Sequence, residues 1–391
     1  MKFILVLILL FTFIHALDES KQLQAIHPLQ ESKDSHQILK AMQANIQNYL
    51  YETPLSSYAY FNQKSSNLTS QALITWIHGG IYLNTLAAEK EPFIRATFNN
   101  SQYAHLGDYR YDMFTLLSDL LLKMQEDSDF SGSKEKAILG TFVDAYFERL
   151  QNQKLKCPCI EDALGDVKNN DLLKKYTKIH KNSRYFDTRS KRLKEVPISE
   201  AKTIETKMKN YLKEFKLLPI KDIVENTYGD YLLLCEGKTK KVHDDVIFKL
   251  SVPTIPVSYQ VNKKMKQNYL NKSLLGKNQA VSSFNQSKYA GTVHIKDKDY
   301  FVNKLNPSLS LRPQSEKTHV YKNYAAALGY MLASFHSNPA LKACESFSSK
   351  VKKEVKTRRV KIEIISMVYT YNETLEERWE SFSDKELLSL K

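Results

Sequence analysis

Residues Trp76–Leu122 constrain the fold more tightly than any other part of the chain. Ile74-Thr75-Trp76-Ile77 and Ile94-Arg95-Ala96-Thr97-Phe98 are rich in β-branched and aromatic residues, as short strands are. Gly107-Asp108-Tyr109-Arg110-Tyr111-Asp112 then opens a helix over Met113–Met124, with Phe114, Leu117, Leu120 and Leu121 along one face. The order is strand, turn, strand, turn, long helix. It leaves two loops between these elements, Gly79–Thr85 and Asn99–Tyr103.

In order and spacing these elements resemble the catalytic-loop and metal-loop region of small-molecule phosphotransferases with a protein-kinase-like fold. More closely, the chain resembles a family of uncharacterised bacterial proteins, the domain-of-unknown-function family 2252. The family pattern is Gly-Asp-x-His-x-x-Asn after a short strand; the Asp orients the acceptor hydroxyl and the Asn holds a metal ion. Here the loop reads Gly79-Gly80-Ile81-Tyr82-Leu83-Asn84-Thr85. The catalytic Asp is replaced by Gly80, the His by Tyr82 and the metal Asn by Thr85, while Asn84 stands one position early. His78, just before the glycines, is a candidate substitute base.

The family's second loop, Asn-Asp-Phe-Asp-Glu, supplies carboxylates for a divalent metal; this chain has Asn99-Asn100-Ser101-Gln102-Tyr103. Amides at Asn100 and Gln102 are poor ligands for a hard cation, which needs charged oxygens. The third element is retained as Gly107-Asp108-x-x-Tyr111-Asp112. The resemblance gives it a structural role: Gly107 turns the chain, and an Asp caps the helix and braces the catalytic loop.

The second half resembles a kinase-type nucleotide lobe. Tyr228–Gly237 and Val246–Leu250 read as paired strands, and Lys249 matches the lysine that would contact nucleotide phosphates. Gly229 is what is left of the glycine-rich turn. Thr292–Leu305 reads as a hairpin turning at Lys296-Asp297-Lys298, with Asn303 where the family has Arg. A helix over Tyr321–Ser337 ends in Leu332-Ala333-Ser334-Phe335-His336, similar to the family's Leu-Ala-x-x-His, so His336 joins the ligand-binding candidates. Asn62 replaces an Arg that would follow an aromatic pair.

The resemblance implies an α+β, two-lobed kinase-like fold in circularly permuted order. A catalytic-type helical part spans residues 55–215, and a smaller antiparallel-sheet part with C-terminal helices spans 216–391. Ahead of them, residues 17–54 read as an arm and a helix from His36 to Tyr51, stopped by Pro54. Further helices are expected over Lys134–Gln153 and from Ser199 to Phe215. Residues 154–195 read as irregular and basic, with Tyr176, Tyr185 and Phe186 among the cations; such a run suits a phosphate-rich polymer or a plain solvated face. A second basic run covers Lys350–Lys361.

Met1-Lys2, the apolar run Phe3–Ile14 and the small residue Ala16 have the form of a secretory signal over residues 1–16, too short to span a bilayer at about 20 residues. The formal net charge is +14, and the leader carries only Lys2 of it, so the exported chain keeps a strong basic excess. The four cysteines, Cys157, Cys159, Cys235 and Cys344, permit bridges in an oxidising compartment or stay as buried thiols.

Three functions fit these signals. The first is an exported, periplasmic or secreted, non-catalytic kinase-like protein binding an anionic ligand or an envelope partner, with no metal or cofactor. The second is a phosphotransferase using ATP and Mg²⁺ through substitute residues, which export to an ATP-poor compartment disfavours. The third is a basic protein binding anionic polymers, with nucleic acid the less favoured of these.

Overall fold

The structure is a computed structural model that describes residues 33–68, 72–89, 95–98, 103–127, 130–152, 172–189, 193–214, 219–226, 229–237, 239, 244–252, 256, 258–284, 289–305, 313, 315–338, 341, 344 and 346–383. The expected leader, the Asn99–Gln102 segment, Cys157 and Cys159 lie outside the described residues.

Chain entry differs from the single expected helix. α1 (Lys33–Ala44) and α2 (Ile46–Glu52) are separated at Asn45, whose extended backbone and side chain cap α2 by accepting the N–H groups of Gln47 and Asn48 at 2.8 and 3.1 Å. Pro54 occupies the first position of α3 (Pro54–Ser65), where its missing N–H costs nothing.

β1 (Ile74–Ile77) is followed by a 3₁₀ turn (Leu83–Thr85), β2 (Leu86–Glu89), β3 (Arg95–Phe98) and β4 (His105–Asp108). β1 pairs antiparallel with β4, Ile74 opposite Asp108, while β3 pairs with β2, which the sequence had hidden as loop. α4 (Tyr109–Asp127) begins directly at the end of β4, four residues before the expected start. Asp108 caps it, accepting the Arg110 N–H at 3.0 Å; Asp112 lies inside the first turn and does not cap.

α5 (Gly132–Gln151) packs along α10 (Thr318–His336), and α11 (Phe347–Glu354) and α12 (Thr357–Ser383) close the same core. This helical core draws on residues Leu39–Leu150 and Tyr321–Phe382.

The rest of the chain builds a six-stranded sheet. After α6 (Leu172–Tyr176) and the hairpin β5 (Thr177–His180) and β6 (Ser183–Phe186) come β7 (Leu193–Glu195), α7 (Ile198–Glu214), β8 (Ile220–Asn226), β9 (Tyr231–Cys235) and β10 (Val246–Ser251). α8 (Ser258–Val261), α9 (Lys263–Phe284), β11 (Gly291–Ile295) and β12 (Lys298–Lys304) follow. The sheet runs β11-β12-β10-β9-β8-β7, every pair antiparallel. Alternation along β9 and β10 splits the burial. Leu233, Phe248 and Leu250 meet Ile204, Met208 and Leu212 of α7, while Leu232, Leu234 and Ile247 meet Phe186 and Leu193 on the other face.

The molecule is therefore α+β with antiparallel sheets. Its cores do not divide at residue 215: the sheet cores lie within residues 173–305, inserted between the two stretches of the helical one. α9, an element absent from the sequence reading, packs on both β4 and β11. It is tied to β4 where the Leu106 N–H donates to Ser273 Oγ at 3.0 Å, and the neighbouring α8 adds the Tyr259 hydroxyl, which donates to the Leu106 carbonyl at 2.9 Å. Among the described residues no helix is long and apolar enough to cross a membrane. Cys235 and Cys344 are buried thiols.

The α5–α10 contact depends on Gly329, because a Cβ there would overlap the backbone carbonyl of Phe142 on α5. In an exposed helix Gly→Ala would add about 1 kcal/mol of stability. Overpacking against backbone costs typically 1–3 kcal/mol. Gly329→Ala is expected to lower the thermal unfolding midpoint; an unchanged or raised midpoint contradicts this packing.

Candidate functional site

The loop after β1 is held from below by one helix. The Asp112 carboxylate accepts the backbone N–H of His78 at 2.6 Å and of Gly79 at 3.1 Å. A third donor is His336 Nε2 at 3.2 Å, and the Nδ1 of the same ring lies 2.7 Å from the Tyr146 hydroxyl. Burial pushes the Asp112 pKa up, but the hydrogen bond and charge of His336, and then His78, outweigh it and hold the group below the ordinary carboxylate range. Gly79 has φ +76°, and a Cβ there would come within 2.6 Å of the Tyr103 carbonyl oxygen, so only glycine fits.

Seven residues on, the same face of α4 presents Asp119. It accepts the Leu83 N–H at 2.7 Å, the Tyr51 hydroxyl at 3.0 and 3.1 Å, and Gln47 Nε2 at 2.9 Å. Burial raises its pKa to about 6 against the opposing pull of those bonds. Two carboxylates two turns apart thus clamp both ends of the Gly79–Thr85 loop. The sequence reading missed Asp119; the available signal was an acid standing alone within the apolar run Phe114–Leu122.

The clamp fixes what each candidate residue does. Gly80 is half-buried and has no side chain to orient a nucleophile. Tyr82 is buried, its ring 5.1 Å from that of Tyr51. Thr85 Oγ1 accepts the Tyr82 N–H at 3.1 Å and donates to the Tyr82 carbonyl at 2.7 Å, so its hydroxyl is engaged within the turn. Asn84 is exposed. Asn100 and Gln102 lie outside the described residues, and the Tyr103 carbonyl accepts His105 Nδ1 at 2.8 Å. His336, read as a ligand candidate, is fully buried in the helical core, bonded to Asp112 and Tyr146.

Lys249 belongs to the other unit. It projects from β10 on the face of Ile247, opposite Leu232 and Asn303 on the flanking strands, and its Nζ lies 2.8 Å from Asp230 Oδ2. Burial pulls its pKa down, and Asp230, with Tyr103 and Tyr176 nearby, more than reverses the effect. Beside this pair, the Asn303 Oδ1 is buried and accepts no hydrogen bond. The turn before β9 is closed on itself: the Gly229 N–H donates to the Asn226 carbonyl at 3.1 Å and the Asp230 N–H to Asn226 Oδ1 at 2.9 Å.

These groups do not fit a magnesium–nucleotide complex. The Gly229 and Asp230 N–H groups and Lys249 are bonded internally, and the sequence has amides in place of the carboxylates a hard cation needs. Among the described residues no group of three or more His, Cys, Asp or Glu side chains is placed to hold a metal ion. A separate, mostly apolar cavity of about 300 Å³ lies behind β1 and β4, bounded by Tyr58, Phe61, Ile74, Arg110 and Met265. The Arg110 guanidinium in its wall is held by Asp108 at 2.6 Å. Compared with known proteins, the chain matches no family model, no curated protein and no solved structure.

The two clamps respond oppositely to pH. Asp119 binds its proton more tightly in the folded state, so stability falls as pH rises from about 4 to about 6 and is level above. Asp112 binds its proton less tightly when folded, so its contribution is lost as pH falls below about 4. Denaturant titrations between pH 4 and 7 should show the Asp119 decline, up to about 3 kcal/mol. Asp119→Asn is expected to remove it; an unaltered slope contradicts the assignment.

Proposed function

We propose that the chain is a kinase-like, two-lobed protein in circularly permuted order, exported to the cell envelope, which binds a ligand or partner and does not transfer phosphoryl groups. The order of the units supports the permutation, since the clamped loop precedes the sheet in the chain. The sheet's plan supports the likeness. Strands β8 to β12 lie in the order first, second, third, fifth, fourth; Lys249 stands on the third, and α9 follows it before the fourth. In kinases a glycine-rich turn covers the phosphates and the third-strand lysine pairs with a glutamate on the next helix. α9 has no acidic residue, and Lys249 pairs with Asp230 of its own sheet instead.

The non-catalytic reading rests on one observation: each reactive position of the pattern is either without a suitable side chain or engaged inside the fold. Phosphoryl transfer depends on positioning and on neutralising the moving phosphoryl charge. Gly80 positions nothing, Thr85 is closed on Tyr82, and the ammonium of Lys249 is neutralised by Asp230. The unbonded amide oxygen of Asn303 beside that pair supports a ligand-binding role, because a buried acceptor without a donor costs stability that a bound donor group would recover.

Calorimetric titration of ATP, with and without Mg²⁺, into the protein and its Lys249→Ala variant tests the reading. Binding is expected to be weak and indifferent to Mg²⁺ and to the substitution. Micromolar binding that requires both Mg²⁺ and Lys249 contradicts it and restores the phosphotransferase.

A further inference from the structure

We propose that the β5–β6 hairpin is a docking element for an anionic phospholipid surface. It forms a two-stranded sheet of its own, apart from the six-stranded sheet, with Lys178 opposite Tyr185 and Ile179 opposite Arg184. The strands are joined by Lys181 and Asn182, both at positive φ, 47° and 65°, the geometry that closes a hairpin in two residues.

The base of the hairpin is fixed. The Phe186 ring lies in the apolar core with Leu232 and Leu234, and its N–H donates to Asp222 Oδ2 at 2.8 Å. Arg184 Nη1 donates to Thr177 Oγ1 at 2.8 Å, and its Nε lies 3.6 Å from the buried Asp245 carboxylate. The Asp187 N–H returns to the Tyr176 carbonyl at 2.9 Å. A stem bonded in this way presents its end as a rigid projection.

That end combines apolar and cationic groups. Ile179 is 54 % exposed and Tyr185 40 % exposed, and His180, Lys181 and Asn182 are exposed between them. Lys174, Lys175, Lys178 and Lys181 are all exposed within eight residues. The nearby acid, Asp187, is neutralised by Arg189 at 2.7 Å, with Lys178 at 3.5 Å. Lysines suit lipid phosphates, and an isoleucine and a tyrosine held among them suit the boundary between headgroups and acyl chains.

The same segment fits a polynucleotide poorly. Single-strand binding relies on successive exposed rings as stacking platforms. Of the three aromatic residues in this basic run, Phe186 is in the core and Tyr176 is half-buried against it with Lys175 over its ring, leaving Tyr185 alone. An exposed isoleucine adds nothing to phosphate recognition in water but gains on leaving it. This inference is independent of the kinase-like reading, because it uses no group of the loop or of the Lys249 face.

The test is co-sedimentation of the full-length protein with vesicles of phosphatidylcholine alone or mixed with phosphatidylglycerol, at low and high salt. Binding is expected on the anionic vesicles, weakened by salt, and reduced roughly tenfold or more when Ile179→Asp and Lys181→Glu are combined. Both side chains are exposed, so the unfolding midpoint should be unchanged and serves as the folding control. Ile362→Asp, at an apolar residue 62 % exposed on α12, should leave vesicle binding intact. Absence of binding, equal binding to both lipids, or binding indifferent to the hairpin substitutions overturns the proposal. Tighter capture of single-stranded DNA through the same residues overturns it in favour of nucleic acid.

Discussion

The buried carboxylate of Asp112 is the interaction on which the helical unit depends. A charge removed from water is tolerable only when hydrogen bonds replace its hydration. Here the three donors come from two distant parts of the chain: the adjacent residues His78 and Gly79 just after β1, and the last residue of α10. The seam is tied again by Thr75, whose hydroxyl donates to the His336 carbonyl at 2.9 Å and lies 3.1 Å from Cys344 Sγ. Removing the carboxylate would leave buried N–H groups without acceptors, which costs more than the bonds themselves contribute.

From this constraint the rest follows. Fixing the His78 and Gly79 amides on α4 forces the loop into a left-handed turn against the Tyr103 carbonyl, which excludes a side chain at Gly79. Asp119 repeats the arrangement at Leu83, and Tyr82 and Thr85 close on each other across it. Polar groups that a reactive loop would point outward are turned inward. The sheet is self-contained in the same way: Asn226 and Asp230 close the turn before β9, and Asp230 also holds Lys249. α8 and α9 join the two units through the backbone groups of Leu106 rather than through an ion pair with Lys249.

Strong periodicity made much of this fold legible. β1, β10, the β11–β12 hairpin, α5, α7 and α10 were readable from apolar spacing and turn residues to within a few positions. β2 and β5 were hidden because short strands of small or basic residues carry little apolar signal, and their partners are supplied by the chain around them. α9 was hidden because Lys, Asn and Ser fill most of its length, and its burial depends on contacts with β4 and β11 that only the folded molecule provides. The three motifs fall on the loop after β1, the segment before β4 and the start of α4. They did not reveal that His336 serves Asp112, or that Asp119 and Asp230 exist as partners, since which donor a buried carboxylate meets is settled by tertiary packing.

The most direct test of the clamp is native-state amide hydrogen exchange at His78, Gly79 and Leu83. Loop amides ordinarily exchange through small local openings, whereas amides bonded into a core exchange only with the opening of that core. If Asp112 and Asp119 hold the loop to α4, these three amides exchange as slowly as the core amides of α4 itself, and they do so although no regular strand or α-helix contains them. Fast exchange at all three, with α4 protected, would contradict the account.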